Sequence, residues 1–146
     1  MNPPLRDKED RQALIDGLLD GTIDMIATDH APHAANEKDK GLRGSVMGIV
    51  GLETAFPLLY THLVKKGIMS LETLMDKMAY APARRFGLEE EMANSVAVWD
   101  LETEYAIHAD QFLSKGRSMP FEGWPVYGKC LMTVVDGQIV YREGAI

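Results

Sequence analysis

The chain has 146 residues, a formal net charge of −7 and a hydrophobic fraction of 46%. This length and apolar content suit one compact domain or two small ones. The acidic balance argues against non-specific binding to nucleic acids, and no apolar run approaches the roughly 18 residues that would span a membrane. Cys130 is the only cysteine, which excludes an internal disulfide and favours a reducing, cytoplasmic setting.

The first part of the chain predicts a helix followed by a buried strand. Residues 7 to 20 carry an apolar stripe at helical spacing, with Asp7 as the N-cap and Gly21 where the helix ends. Residues 23 to 28 form a short apolar run typical of a buried strand, and the run ends abruptly at the polar segment 29–33. A helix, a tight turn and a buried strand with polar groups at its carboxyl end is the pattern of an α/β barrel.

One long loop and more helices are predicted over the next part. Residues 34 to 51 are polar and rich in glycine, and long loops of this kind are often functional. A second helix is predicted over residues 52 to 66. Ser70 is predicted to cap a third helix, and a short fourth helical turn runs over residues 82 to 87.

The character of the sequence changes near residue 90. The predicted strands are Ser95–Trp99, Tyr105–His108, Leu131–Val135 and Gln138–Tyr141. The pair Asp136-Gly137 between the last two runs is a strong signal for a hairpin turn. We therefore predict two parts, a helical part with one buried strand over residues 1–90 and a β-rich part over residues 91–146.

Asp29 is the leading candidate for chemistry. An aspartate at the end of a buried parallel strand projects into the active-site mouth of an α/β barrel. There it can bind a metal, orient a metal-bound water and accept the proton of that water. The structural alternative is an aspartate that only caps a loop.

The four histidines do not form a metal-binding pattern. His33 can donate hydrogen bonds to an anionic ligand or bind a metal, although a lone loop histidine more often does neither. We expect His30 to satisfy backbone groups of the loop, and His62 and His108 to be structural. No HxH pair is present, and a metal centre needs several ligands for each ion.

Other polar side chains are weaker candidates for ligand binding. The amide of Asn2 can both donate and accept hydrogen bonds, which suits recognition of a ring amide, but a flexible terminal residue is the plainer interpretation. The cations Lys38, Lys40 and Arg43 of the long loop could attract an anion. A solvated charged face is the expectation for them.

Five segments, taken in order, carry a family resemblance. Residues 2–6 read Asn-Pro-Pro-Leu-Arg, and residues 27–33 read Ala-Thr-Asp-His-Ala-Pro-His. Residues 48–54, 82–88 and 120–123 continue the series. Together they make the chain similar to the carboxy-terminal part of the dihydroorotases, of the amidohydrolase superfamily. Hydantoinases and allantoinases share some of these elements, and Asn2 and His33 favour dihydroorotase.

The resemblance implies a fold, a reaction and a set of roles. The family interconverts carbamoyl aspartate and dihydroorotate in pyrimidine biosynthesis, on a zinc-bearing (β/α)8 barrel with a small β-sandwich. Residues 1–90 would then be the terminal portion of the barrel, and residues 91–146 would be the β-rich portion of the sandwich. By the same resemblance, Asp29 is metal-associated and the general acid/base, His33 holds the substrate carboxylate, Asn2 contacts the substrate, and the backbone near Gly48 approaches the ring.

The departures from the family pattern are as informative as the matches. The HxH pair, the later metal-binding histidines, the substrate-binding arginine and the metal-bridging residue are absent. A barrel usually needs about 250 residues, so the sequence is expected to begin inside a longer protein. We expect the isolated chain to lack activity and to bind no zinc tightly. Exposed strand edges and a bare helix face would favour either self-association into a homo-oligomer or disorder.

Two alternatives to a fragment of an active dihydroorotase stay open at this point. The chain could be a non-catalytic, amidohydrolase-like partner subunit, although such a subunit would have no need of Asp29 and His33. It could also belong to a hydantoinase-like enzyme that hydrolyses another cyclic amide. The number of metals in the longer protein is open as well.

Overall fold

The computed structural model describes residues 2–144, with helices mainly in the first part and strands in the second. The α-helices are α1 (Lys8–Asp20), α2 (Ala35–Lys38), α3 (Gly41–Gly44), α4 (Leu52–Leu59), α5 (Leu71–Met75), α6 (Ala81–Phe86) and α7 (Glu89–Ala93). The strands are β1 (Ser95–Asp100), β2 (Tyr105–Ala106), β3 (Pro125–Val126), β4 (Lys129–Val135) and β5 (Gln138–Arg142). π-Helical turns at Tyr60–Val64 and Asp76–Tyr80 extend α4 and α5, and a 3-10 turn covers Ala109–Gln111.

Helix α1 begins and ends where the sequence predicts. The Asp7 carboxylate accepts a hydrogen bond from the Asp10 amide at 3.1 Å, which satisfies a helix-terminal donor. Gly21 ends the helix with a φ of 87°, a left-handed conformation that glycine adopts without a steric penalty. Of the predicted apolar stripe, Ile15 and Leu18 pack against the core.

The strand predicted over residues 23–28 is not formed. This segment has no strand partner in the part of the chain that the structure describes. Instead, the Ile26 amide donates to the Lys77 carbonyl at 2.9 Å, and the Lys77 ammonium donates to the Ile23 carbonyl at 2.6 Å. The prediction of a strand was wrong here because a strand needs a neighbouring strand to pair with, and a helical segment supplies the partners instead.

The predicted long loop over residues 34–51 contains the two short helices α2 and α3. At the start of α2 the Glu37 carboxylate accepts from the Ala34 amide at 2.9 Å. This local hydrogen bond satisfies one of the free amides at the helix start and stabilises the turn. The prediction of an irregular loop was therefore only partly right.

The second and third predicted helices are confirmed and form the core. Helix α4 continues through the first π-helical turn to Val64, and a turn then reaches Gly67. The Ser70 hydroxyl accepts from the Thr73 amide at 3.1 Å as the cap of α5. The buried residues of the core cluster are Phe56, Tyr60, Leu63, Met69 and Leu74. Each such side chain contributes about 1.5–3 kcal/mol through removal from water.

The strands form two antiparallel sheets. One has the order β1-β4-β5, with Ser95 opposite Val135, and the Asp136-Gly137 turn joins β4 to β5 as predicted. The other pairs β2 with β3, so the predicted strand at Tyr105–His108 is shorter than expected. The Trp99 ring lies 4.2 Å from the Phe56 ring and thereby connects the larger sheet to the helical core. The division of the chain into two domains at residue 90 stays a prediction.

Candidate functional site

Residues 29–33, which we call the turn at Asp29, follow the segment predicted as a strand and are irregular in structure. Asp29 has a φ of 47°, a left-handed conformation that is uncommon outside glycine and often marks a functional site. Its side chain is exposed. The Ala31 amide donates to the Ile49 carbonyl at 2.9 Å, so the turn is joined directly to the chain around Gly48.

Gly48 and His33, predicted separately, lie against one another. Gly48 has a φ of 124°. A Cβ added there would lie 2.6 Å from the Ala31 Cβ and 3.2 Å from the His33 Nε2. Only glycine fits this approach without displacing its neighbours. The His33 Nδ1 lies 3.8 Å from a Glu37 carboxylate oxygen, so Glu37 lies on the other side of the ring.

Lys38 holds the segment that we call the Gly48 loop, residues 46–51. Its ammonium donates to the Val46 carbonyl at 2.8 Å and to the Gly48 carbonyl at 2.7 Å. The side chain is half-buried, so the expectation of a solvated cation was wrong for Lys38. Its role could not be found from the sequence, because nothing in the residue order distinguishes it from Lys40, which is exposed.

His30 contacts the other end of the Gly48 loop. Its Nδ1 accepts hydrogen bonds from the Gly51 amide at 3.0 Å and from the Leu52 amide at 3.3 Å. These amides stand at the start of α4, where helix geometry leaves them without an intrahelical acceptor. The expectation that His30 satisfies backbone groups is confirmed.

Asn2 is not brought to this site by any contact that the structure describes. It is exposed and lies ahead of α1. Among residues 2–144 no hydrogen bond ties its side chain to Asp29 or His33. Its predicted role in substrate binding stays a prediction.

The remaining two histidines lie elsewhere. The His108 Nδ1 is 2.8 Å from a Glu122 carboxylate oxygen. The His62 ring meets the Trp124 ring edge to face at 5.8 Å. Burial lowers the pKa of His62, and the charge of Lys66 adds to this effect. Neither histidine joins the turn at Asp29.

A zinc ion is not accommodated by these residues alone. No group of three or more histidine, cysteine, aspartate or glutamate side chains is placed to hold a metal ion within residues 2–144. Zinc sites use three or four protein ligands, and Asp29 offers one. The donor set of the described residues therefore does not fit the metal that the resemblance implies.

A large groove lies away from this site. It has a volume of about 1130 Å³ and is bordered by residues such as Trp99, Tyr105 and Tyr141. Asp29, His33 and Gly48 do not line it. The residues that the sequence suggests for chemistry thus lie on a different surface from this groove.

Comparison with known proteins tests the resemblance. No family model matches the chain. Over 99% of its length it is 56% identical to a dihydroorotase of Bacillus caldolyticus and to one of Geobacillus kaustophilus, and it spans 35% of the length of each. In structure it is similar to an L-hydantoinase (dihydropyrimidinase) from Arthrobacter aurescens, with a TM-score of 0.88 and 32% identity, covering 99% of this chain and 34% of that one.

A D-hydantoinase (dihydropyrimidinase) from a Thermus species gives the same TM-score of 0.88 at 28% identity, covering 100% of this chain and 34% of that chain. The fold is therefore that of a segment of the hydantoinases, in the α/β amidohydrolase class. In sequence the chain is similar to one segment of the dihydroorotases, which confirms the resemblance drawn from its motifs. The hydantoinase-like alternative is disfavoured, because identity to the dihydroorotases is 56% against 32% to the hydantoinase.

No helix within residues 2–144 is both long enough and apolar enough to cross a membrane.

Proposed function

We propose that this chain supplies part of the active site of a dihydroorotase, which reversibly hydrolyses the cyclic amide of dihydroorotate to carbamoyl aspartate in pyrimidine biosynthesis. The observation that carries the proposal is the 56% identity to dihydroorotases over 99% of the chain. The contact between Gly48 and His33 supports it, because two residues assigned separately to substrate binding are neighbours in space. The proposed setting is the cytoplasm.

Asp29 is the proposed general acid/base. Its exposed carboxylate can take a proton from the attacking water as the water oxygen bonds to the ring carbonyl carbon. The same carboxyl group then delivers that proton to the ring nitrogen as the carbon–nitrogen bond breaks. The products are a new carboxylic acid group and the NH2 of the carbamoyl group, both in the opened ring. Atoms and charge therefore balance without a further reactant.

Substrate binding is assigned to His33, the Gly48 loop and Asn2. The imidazole of His33 can hold the substrate carboxylate, and its Nε2 faces Gly48. The backbone of the Gly48 loop can approach the ring because glycine leaves no side chain in the way. Asn2 would read the ring amide through its own amide group.

The longer protein is proposed to complete the site. We propose a (β/α)8 barrel with a small β-sandwich, to which residues 1–90 and 91–146 contribute respectively. Zinc is the proposed metal of that protein, with ligands beyond Asp29 coming from outside this chain, and a homo-oligomer is its proposed state. The chain alone is expected to show no turnover and to bind no zinc tightly, which activity assays and elemental analysis would check.

A chimera tests the proposed function. The 149-residue match in the Bacillus caldolyticus dihydroorotase is replaced by this chain, and hydrolysis of dihydroorotate and of hydantoin is measured. We expect turnover of dihydroorotate, and a loss of about 10²–10⁴-fold in kcat on Asp29→Asn. The matched control is Asp24→Asn, at another exposed aspartate of the same segment, which should leave kcat unchanged.

The other outcomes separate the alternatives. A folded chimera that hydrolyses hydantoin but not dihydroorotate would favour the cyclic amidase of another specificity. A folded chimera with neither activity would overturn the proposal. A stoichiometric complex of this chain with another protein would then favour the non-catalytic subunit.

A further inference from the structure

We propose that His30 is a positioning residue, whose Nδ1 fixes the Gly48 loop against His33 by accepting from the first amides of helix α4. The catalytic consequence of this proposal rests on the proposed function. The hydrogen bonds themselves do not, because they belong to the fold of this chain.

Helix α4 has an N-cap position without a capping side chain. Gly51 precedes α4 and makes no side-chain hydrogen bond to the helix. Serine, threonine, aspartate or asparagine usually supplies the acceptor at this place. Here the acceptor comes from His30, whose Nδ1 receives both the Gly51 and the Leu52 amides. The helix that follows the loop is thereby capped by the residue next to Asp29.

The two hydrogen bonds assign the tautomer of the ring. A ring nitrogen that accepts hydrogen bonds carries no proton, so the neutral imidazole has its proton on Nε2. Because the Nδ1 lone pair is engaged by backbone amides, this nitrogen is not free to bind a metal or a substrate. Through its Nδ1, His30 therefore acts on the position of the loop.

Several hydrogen bonds locate the Gly48 loop, among them one from the Val50 amide to the Ser118 carbonyl at 3.0 Å. His30 secures the carboxyl end of the loop. Lys38 holds the Val46 and Gly48 carbonyls at the amino end. The Ala31 amide holds Ile49 in the middle. Without the acceptor on His30, the Gly51 and Leu52 amides would lose the hydrogen bonds that join this end of the loop to residue 30.

We expect loss of the His30 cap to affect substrate binding more than proton transfer. Gly48 packs directly on His33, so a displaced loop would change the surroundings of the proposed carboxylate-binding ring. Asp29 lies in the chain next to His30 but has its own backbone conformation. We therefore expect loss of the cap to raise KM for dihydroorotate with a smaller effect on kcat.

Replacing His30 by asparagine or by glutamine separates the role of its Nδ1 as an acceptor from a general need for histidine. Asparagine places its side-chain oxygen close to the position of Nδ1, whereas glutamine places it farther along, near Nε2. In the chimera we expect His30→Asn to stay within about threefold of the parent KM. We expect His30→Gln to raise KM by about tenfold, which corresponds to the loss of about one hydrogen bond. His108→Gln is the matched control and should leave KM unchanged.

A measurement on the 146-residue chain tests the geometry without any activity. Nitrogen-15 NMR of the His30 ring should show an unprotonated Nδ1, and the Gly51 and Leu52 amides should be protected from hydrogen exchange. His30→Gln should remove this protection and His30→Asn should keep most of it. These readouts hold even if the chimera is inactive, so failure of the proposed function can be recognised separately.

Three results would overturn the proposal. A proton found on Nδ1 would contradict the assigned tautomer. Equal effects of asparagine and glutamine on KM would show that the position of the acceptor is irrelevant. If His30→Asn and His30→Gln unfolded the chain to the same extent, His30 would be needed only for folding.

Discussion

Thr61 and Tyr127 are joined by a reciprocal pair of hydrogen bonds across 66 positions of the chain. The Tyr127 amide donates to the Thr61 hydroxyl oxygen at 2.8 Å, and that hydroxyl donates to the Tyr127 carbonyl at 3.5 Å. The Lys65 ammonium also lies 3.5 Å from the centre of the Tyr127 ring. The π-helical turn after α4 is thus tied to the chain between β3 and β4.

The first prediction concerns this pair. Thr61→Val keeps the shape of the side chain but removes the hydroxyl, and the Tyr127 amide is left without its acceptor. We expect a loss of about 1–2 kcal/mol in the free energy of unfolding, measured by urea denaturation. Thr61→Ser retains the hydroxyl and should cost less. A Thr61→Val variant as stable as the parent would contradict a stabilising role of the hydroxyl.

The second prediction concerns the core. Leu74 is 0% exposed, so Leu74→Ala removes buried methyl groups and leaves a cavity. We expect a loss of about 2–5 kcal/mol in the free energy of unfolding. Leu42→Ala at a fully exposed leucine is the matched control, expected within about 0.5 kcal/mol of the parent. Comparable losses at the two positions would contradict the assignment of the core.

The third prediction concerns Gly48. Gly48→Ala combines a φ of 124° with a Cβ placed 2.6 Å from the Ala31 Cβ, so the loop or the turn must move. We expect a loss of more than about 2 kcal/mol in stability, together with shifted NMR signals of His33. Gly41→Ala serves as the control, because Gly41 has a φ of 70° and open space around it. That change should cost only about 1–2 kcal/mol and leave the His33 signals in place.

The fourth prediction is a loss of stability at alkaline pH. The hydrogen bond to Glu143, with burial and nearby charges, raises the pKa of Tyr141 to about 12. Because the pKa in the folded state exceeds the value of about 10 in the unfolded chain, this contribution is complete below pH 10. It is lost as the pH rises toward 12.

Denaturant midpoints measured across this interval test the alkaline prediction. Burial raises the pKa of Tyr105 to about 12 as well, so two tyrosines contribute. Tyr141→Phe should therefore make the alkaline decline less steep without abolishing it. An unchanged decline in that variant would show that Tyr141 does not titrate late.

Local signals in the sequence predicted the ends of elements well. The Asp7 cap, the Ser70 cap and the Asp136-Gly137 turn all depend on residues within a few positions of one another. Their geometry is therefore determined by the local backbone and by short side chains that bond to it. The same reasoning placed α4 and the hairpin of β4 and β5.

Contacts between segments that are distant in the sequence could not be predicted from such local signals. The apolar run at residues 23–28 predicts a strand, but its hydrogen-bond partner is Lys77, in a helical segment. Nothing in the sequence around Lys38 distinguishes it from an exposed lysine such as Lys40. Its ammonium nevertheless donates to two carbonyls of the Gly48 loop. The residue types that suit chemistry could be selected from the sequence, whereas the neighbours that orient them could not.

The sheet order β1-β4-β5 has a consequence for the route by which the chain folds. β4 and β5 are adjacent in sequence and joined by a two-residue turn, so this hairpin can form in about 1–10 μs. β1 pairs with β4 only after the segment from residue 101 to residue 128 has closed into a loop, which costs additional chain entropy. We therefore expect the hairpin to form first and to serve as the template on which β1 is added.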